Sequence, residues 1–182
     1  MAEAIGMIEF KTTPGGILAA DYMVKTAQVE LLESKTVCPG KYIAFVTGEL
    51  SAVRSAVDAA AARFEGKCID SFVLGNPHES VLAALRGENG AEQVESLGIL
   101  ETYDVASAIV AADAAAKTSL VDIIAIKTAE GLGGKSYFVL TGSVAAVEAA
   151  VEEAVDVASA RGMYLDSSVI PHPDPQIGSL FL

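Results

Sequence analysis

The residue best placed for redox or metal chemistry is Cys38, in the run Ser34-Lys35-Thr36-Val37-Cys38-Pro39-Gly40-Lys41. A thiolate is a soft metal ligand. One cysteine cannot hold an ordinary iron–sulfur cluster, which takes four thiolates; a thiol packed in a loop without metal is the plain alternative. Pro39 and Gly40 predict a tight turn with room for close backbone approach. N–H groups of such a turn could donate to a metal-bound sulfur. The other cysteine, Cys68, sits in the strand-like run Lys67-Cys68-Ile69-Asp70-Ser71-Phe72-Val73 and reads as a buried, inert thiol.

The second loop to weigh is Thr128-Ala129-Glu130-Gly131-Leu132-Gly133-Gly134-Lys135. Gly131, Gly133 and Gly134 before a lysine suggest a phosphate loop, but the P-loop spacing is missing and Ser136-Tyr137-Phe138-Val139-Leu140 continues as strand, not helix. Lys41 and Lys135 add positive charge beside the two loops, although a solvated lysine is the ordinary case. His78 and His172 adjoin prolines without a nucleophile–carboxylate set nearby, and read as surface or interface residues. Glu9 and Glu101 each end a strand, and their duplication argues for a structural role over acid–base chemistry. No catalytic constellation emerges, so an ordinary enzyme is the least favoured class.

The elements that must position these loops occur twice. Ile5-Gly6-Met7-Ile8-Glu9 returns as Leu97-Gly98-Ile99-Leu100-Glu101. At the same offset Ala19-Ala20-Asp21 returns as Ala111-Ala112-Asp113, and Lys25-Thr26 as Lys117-Thr118. Thr47-Gly48 and Asp70-Ser71 return as Thr141-Gly142 and Asp166-Ser167, so the second copy has gained a few residues. Duplication at this period means two small domains, and pseudo-symmetric assembly creates sites that no single copy contains. The first copy is expected over residues 1–87, a polar linker over 88–95, and the second copy over 96–182.

Each copy reads as strand, Ala-rich helix, strand, loop, strand, helix, strand: Ala4–Phe10, Gly15–Thr26, Val29–Val37, Tyr42–Thr47, Ser51–Glu65 and Cys68–Leu74, then Ser96–Thr102, Val105–Thr118, Val121–Ala129, Tyr137–Thr141, Val144–Arg161 and Met163–Ile170. Asp21 and Lys25, and Asp113 and Lys117, form (i, i+4) pairs on faces expected to be exposed. The order β-α-β-β-α-β is the ferredoxin-like split βαβ of the α/β (α+β) class. The proline-rich tail Pro171-His172-Pro173-Asp174-Pro175 is expected to be extended, not helical.

Composition bounds the rest. The 182 residues are 52% hydrophobic and 20% charged, which describes a core-forming protein rather than a disordered one. A net charge of −12 without a Lys/Arg cluster argues against nucleic acid. No signal peptide or membrane-spanning stretch is evident, and two cysteines are not a disulfide framework, so a reducing cytosolic setting is expected.

These residues resemble the shell proteins of bacterial microcompartments, in their tandem-domain form. The family's opening pattern Ala-(Ile/Leu)-Gly-(Met/Leu)-(Ile/Val)-Glu is matched by Ala4–Glu9 and Leu97–Glu101. Its helix pattern Ala-Ala-Asp-x-x-x-Lys-(Ala/Thr) is matched by Ala19–Thr26 and Ala111–Thr118. Its strand-end pattern Val-Ile-Pro-Arg-Pro-His is approached by Val169-Ile170-Pro171-His172-Pro173 and, more loosely, by Val73-Leu74-Gly75-Asn76-Pro77-His78. The family's edge arginine is absent, with Asn76 and His172 in its place, while Lys25 and Lys117 keep the other edge contact.

The resemblance implies a non-enzymatic shell tile: a pseudohexameric homotrimer in the microcompartment shell in the cytoplasm, beside other shell proteins. Loops like Ser34–Lys41 belong to members that carry an iron–sulfur cluster, [4Fe-4S], on the threefold axis, one loop cysteine coming from each subunit. On that likeness Cys38 is the metal ligand and Pro39 and Gly40 cradle the cluster, whose open iron faces a small ligand or a lumenal or cytosolic redox enzyme. Lys41, Gly131, Gly133 and Gly134 then line or flank the pore. Zinc in a three-thiolate site, a metal-free tile conducting metabolites through a central pore, and a ferredoxin-like module binding a small regulatory ligand are the competing readings.

Overall fold

The structure is a computed structural model and describes residues 3–88, 91 and 93–181. Asn89, Gly90 and Glu92 of the expected linker lie outside the described residues, as do Met1, Ala2 and Leu182 at the expected domain ends. Two compact units are present, Met1–Pro77 and His78–Leu182.

The first unit runs β1 (Glu3–Phe10), α1 (Thr13–Thr26), β2 (Glu30–Val37), β3 (Lys41–Glu49), α2 (Leu50–Arg63) and β4 (Cys68–Gly75). Its antiparallel sheet has the order β2-β3-β1-β4. Helix α1 starts where Thr12 Oγ1 accepts the Gly15 N–H, with a proline in its first turn. In α2 the Glu49 carboxylate accepts the Ser51 N–H at 3.1 Å and also takes the Ser51 hydroxyl. Val53, Ala56, Val57 and Ala60, at helical spacing, are its buried face. They meet Ala4, Ile8, Phe10, Ala44 and Val46 across the sheet. Phe10 and Tyr22 both set their rings edge-on to Phe64, at 5.9 and 5.8 Å between centroids, and Arg63 covers Tyr22 at 5.2 Å.

The second unit begins with a helix that the repeat did not predict, α3 (Glu79–Leu85), followed by β5 (Ser96–Thr102), α4 (Val105–Thr118), β6 (Val121–Thr128), β7 (Ser136–Gly142), α5 (Val144–Ala160) and β8 (Tyr164–Ile170). The sheet order β6-β7-β5-β8 repeats the first. A short helix α6 (Pro175–Gly178) and a 3₁₀ turn (Ser179–Phe181) close the chain. Pro175 is therefore helical, against the extended reading of the tail. It occupies the first turn, where a missing N–H costs nothing, and Asp174 caps the turn by accepting the Gln176 N–H. Asp113 also departs from expectation. It is buried on α4 rather than exposed, with one carboxylate oxygen held by Lys117 and the other accepting the His78 backbone N–H at 2.7 Å.

The two cores differ at one paired position. A β-carbon at Gly16 in α1 would overlap the ring of Tyr42, whose hydroxyl bonds Ser34 Oγ at 2.7 Å. The second unit has Ala108 and Ser136 at the corresponding places, fixed by the registers Phe10↔Tyr42 and Thr102↔Ser136. Bulk lost from the strand is matched by a methyl gained on the helix. The aromatic cluster has no counterpart either: Arg161 instead reaches Ser107, its Nε donating to Oγ at 2.8 Å.

Candidate functional site: the β2–β3 hairpin and its duplicate

Cys38 sits at the tip of the hairpin joining β2 to β3. The turn Val37-Cys38-Pro39-Gly40 closes with the Gly40 N–H donating to the Val37 carbonyl at 3.0 Å, and the Cys38–Pro39 bond is cis. A proline in cis at the third position defines a type VI turn. Gly40 has φ +82°, and a side chain there would meet nothing within 4 Å. Its backbone conformation, not close packing within the chain, accounts for the glycine. Pro39 has no N–H and that of Gly40 is used inside the turn, so neither is a free donor to a sulfur. Cys38 is a free, half-buried thiol.

The base of this hairpin is pinned by charge. Lys41, the first residue of β3, places Nζ 2.5 Å from the buried Glu9 carboxylate at the end of β1. The duplicate repeats the arrangement, with Lys135 Nζ 2.7 Å from Glu101. Glu9 pairs across β1 and β3 with Ile43, two residues beyond Lys41, so the lysine reaches it diagonally on one sheet face. The duplicated Glu and the lysine after each loop were both visible in the sequence; only the register shows that they are one contact. The structure therefore places the ammonium groups of Lys41 and Lys135 in ion pairs.

The duplicate loop carries no thiol. Gly131, Gly133 and Gly134 adopt φ of +72°, +66° and +97°, and the buried Ala129 sits at +55°. This run of left-handed backbone needs glycines for conformation, and Lys135 N–H closes it on the Leu132 carbonyl at 3.3 Å.

The remaining expected residues are spread over the units. Lys25 pairs with the half-exposed Asp21 at 2.7 Å, and Lys117 with the buried Asp113 at 2.6 Å. His78 caps α3, its Nδ1 accepting the Ser80 N–H and contacting Ser80 Oγ at 2.8 Å. Cys68 is half-buried; burial, aided by the neighbouring Asp70 carboxylate, pushes its thiol pKa up and keeps it protonated. Among the described residues, no set of three His, Cys, Asp or Glu side chains in the chain could enclose a metal ion. No helix among them is long and apolar enough to cross a membrane.

Two β-α-β-β-α-β units, each bearing a hairpin loop pinned by a Lys–Glu pair, define a tandem-domain protein. The BMC domain family matches the chain twice, over residues 4–77 and 96–173, and the chain belongs to that family. It is a bacterial microcompartment shell protein of the tandem type. The bacterial microcompartment shell protein PduT of Citrobacter freundii is 41% identical over 95% of this chain and 94% of its own length. A microcompartment protein from Desulfitobacterium hafniense, known from its crystal structure, superposes with a TM-score of 0.93 at 46% identity, covering 97% of this chain and 98% of its own. The fused, permuted hexameric shell protein of the RMM microcompartment shares the fold, with a TM-score of 0.64 at 23% identity over 87% of this chain and 84% of its own.

Proposed function

We propose that three copies of this chain form a pseudohexameric shell tile in which the three Cys38 thiolates share a [4Fe-4S] cluster on the threefold axis. The observation that carries this reading is the asymmetry of the two hairpins: one ends in a free, half-buried thiol, the other in glycines. A single chain offers one soft ligand, so its donor set fits a cluster only when a symmetry axis multiplies it. Three thiolates and one open iron position complete the set. The protein's part is to hold Cys38 at a fixed tip: the turn closes on Val37, and the Lys41–Glu9 pair ties the base of the hairpin to β1. A cluster held there supplies one-electron transfer across the shell, to a redox enzyme on one face or the other.

Anaerobic purification followed by iron and sulfide analysis tests the assignment. The wild type is expected to carry iron and sulfide at one cluster per three chains, and Cys38→Ser to lose both while keeping its oligomeric state. Iron retained in Cys38→Ser overturns the ligand assignment. A wild-type trimer that takes up no iron on anaerobic reconstitution replaces it with a metal-free tile whose pore conducts metabolites.

A further inference from the structure

The two units carry charge very unequally. The first has seven Lys or Arg residues against nine Asp or Glu, the second five against fifteen. Three of the first unit's cations gather around the turn from α2 to β4. Lys11, just after β1, reaches over that turn, its Nζ donating to the Gly66 carbonyl at 2.8 Å and its backbone N–H to the Lys67 carbonyl at 3.1 Å. Arg63, the last residue of α2, lies over the Tyr22 and Phe64 rings at 5.2 and 5.8 Å. Lys11, Arg63 and Lys67 are all exposed, and both rings are half-buried. The turn holds one exposed carboxylate, Glu65, so cations outnumber it three to one.

The second unit keeps the backbone of this corner and drops its charge. The Tyr103 N–H donates to the Met163 carbonyl at 2.9 Å, as the Lys11 N–H does to that of Lys67. Tyr103 and Met163 therefore stand where the first unit has its two lysines. The cation between α5 and β8, Arg161, donates through Nε to Ser107, and residues 158–163 include no aromatic ring.

The cationic corner adjoins the Cys38 hairpin. Tyr42 near the start of β3, Phe10 at the end of β1 and Cys68 at the start of β4 are partners in one row across the sheet. One end of the first sheet thus carries the hairpin, Lys11 and Lys67 side by side. Strands lie about 4.8 Å apart, which puts the backbone of Lys67 roughly 10 Å from the base of the hairpin. The chain as a whole carries −12. At physiological salt the Debye length is about 8 Å, so distant carboxylates are screened and the local charges decide what docks.

We propose that this corner of the first unit docks an acidic protein that carries single electrons, its carboxylates meeting Lys11, Arg63 and Lys67 beside the Cys38 site. The charge selects an acidic surface, and the neighbouring thiol selects an electron carrier. Electron-transfer encounters use small interfaces, and arginine and tyrosine are favoured residues in them, so three cations over two aromatic rings suit the task. One electron passes per encounter, one centre losing what the other gains, and no bond is made or broken. The partner's redox character rests on the cluster in the proposed function; the docking surface does not.

The test titrates a plant-type two-iron ferredoxin, an acidic one-electron protein, into the full chain at about 0.15 M salt, followed by calorimetry. Lys11→Glu/Lys67→Glu reverses the corner. Arg54→Glu/Lys127→Glu makes the same change in net charge at exposed positions elsewhere, at the other end of α2 and on β6. Wild type and the second variant are expected to bind alike, and the corner variant at least about tenfold more weakly. Carbodiimide, which couples a lysine to a carboxylate in contact with it, is expected to join Lys11 or Lys67 to the probe. Equal losses in the two variants, or a wild type that does not bind at millimolar probe, overturn the docking surface. Far-UV circular dichroism checks folding, and Lys11→Gln/Lys67→Gln takes over if the charge reversal unfolds the chain. A chain that binds the probe through this corner yet takes up no iron overturns the cluster reading alone.

Discussion

Cys68 and Cys38 are both half-buried thiols in different surroundings. Cys38 stands on a hairpin tip, whereas Cys68 packs beside the first core with its thiol directed at the Asp70 carbonyl, 3.4 Å away. Burial first, and the Asp70 charge second, raise its pKa. The native thiol thus holds its proton more tightly than the unfolded one, which titrates near about 8.5. The sign follows: this contribution to stability is complete below that pH and declines as pH rises above it. Urea midpoints measured from pH 7.5 to 10 should fall more steeply for the wild type than for Cys68→Ala. Equal slopes would mean that Cys68 is solvated like an unfolded thiol.

At the scale of elements, the Lys–Glu pairs give a comparison within one molecule. Glu9 is almost wholly buried while Glu101 keeps about a quarter of its side chain in solvent, and Lys41 is likewise less exposed than Lys135. Removing the lysine strands a buried carboxylate in the first unit but only a partly hydrated one in the second. Lys41→Met should cost about 1–3 kcal/mol and Lys135→Met less than about 1 kcal/mol, read by chemical denaturation. The reverse order would sink the assignment of Lys41–Glu9 as the firmer clamp. Much of this level was legible beforehand. The order β-α-β-β-α-β, the spacing of Val53, Ala56, Val57 and Ala60, and the turn at Pro39-Gly40 follow from periodicity and turn chemistry. What escaped was the seven-residue helix α3, too short to declare itself locally and held instead by packing on α4 and β6. Asp113 escaped for the same reason. An (i, i+4) Asp–Lys pair looks solvated in any sequence, and the sequence does not show that the His78 N–H reaches Asp113 or that this carboxylate is buried.

For the whole molecule, the two units differ in what they leave uncovered. Ile17, Leu18, Val24 and Leu31 are exposed in the first, while their counterparts in the second are largely covered. A chain whose stability includes contacts with other copies must unfold at a temperature that depends on its concentration. The wild-type Tm is therefore expected to rise between micromolar and hundred-micromolar protein, and that of Ile17→Asp/Leu18→Asp to stay flat. A flat wild-type profile would count against assembly as a source of stability. On the proposed reading, Cys38 becomes a site only when the molecule is one sector of a ring.

The Gly16–Tyr42 pair bears on a different hazard. A chain that carries two copies of one fold can exchange equivalent helices between them, or between neighbouring molecules, and so misfold into swapped forms. Helix α4 laid on the first sheet would drive the Ala108 methyl into the Tyr42 ring, because even a β-carbon at Gly16 overlaps that ring. Helix α1 laid on the second would leave a void over Ser136. The mismatch works as a key that admits each helix to its own sheet, so divergence inside the cores keeps the two copies from being mistaken for one another.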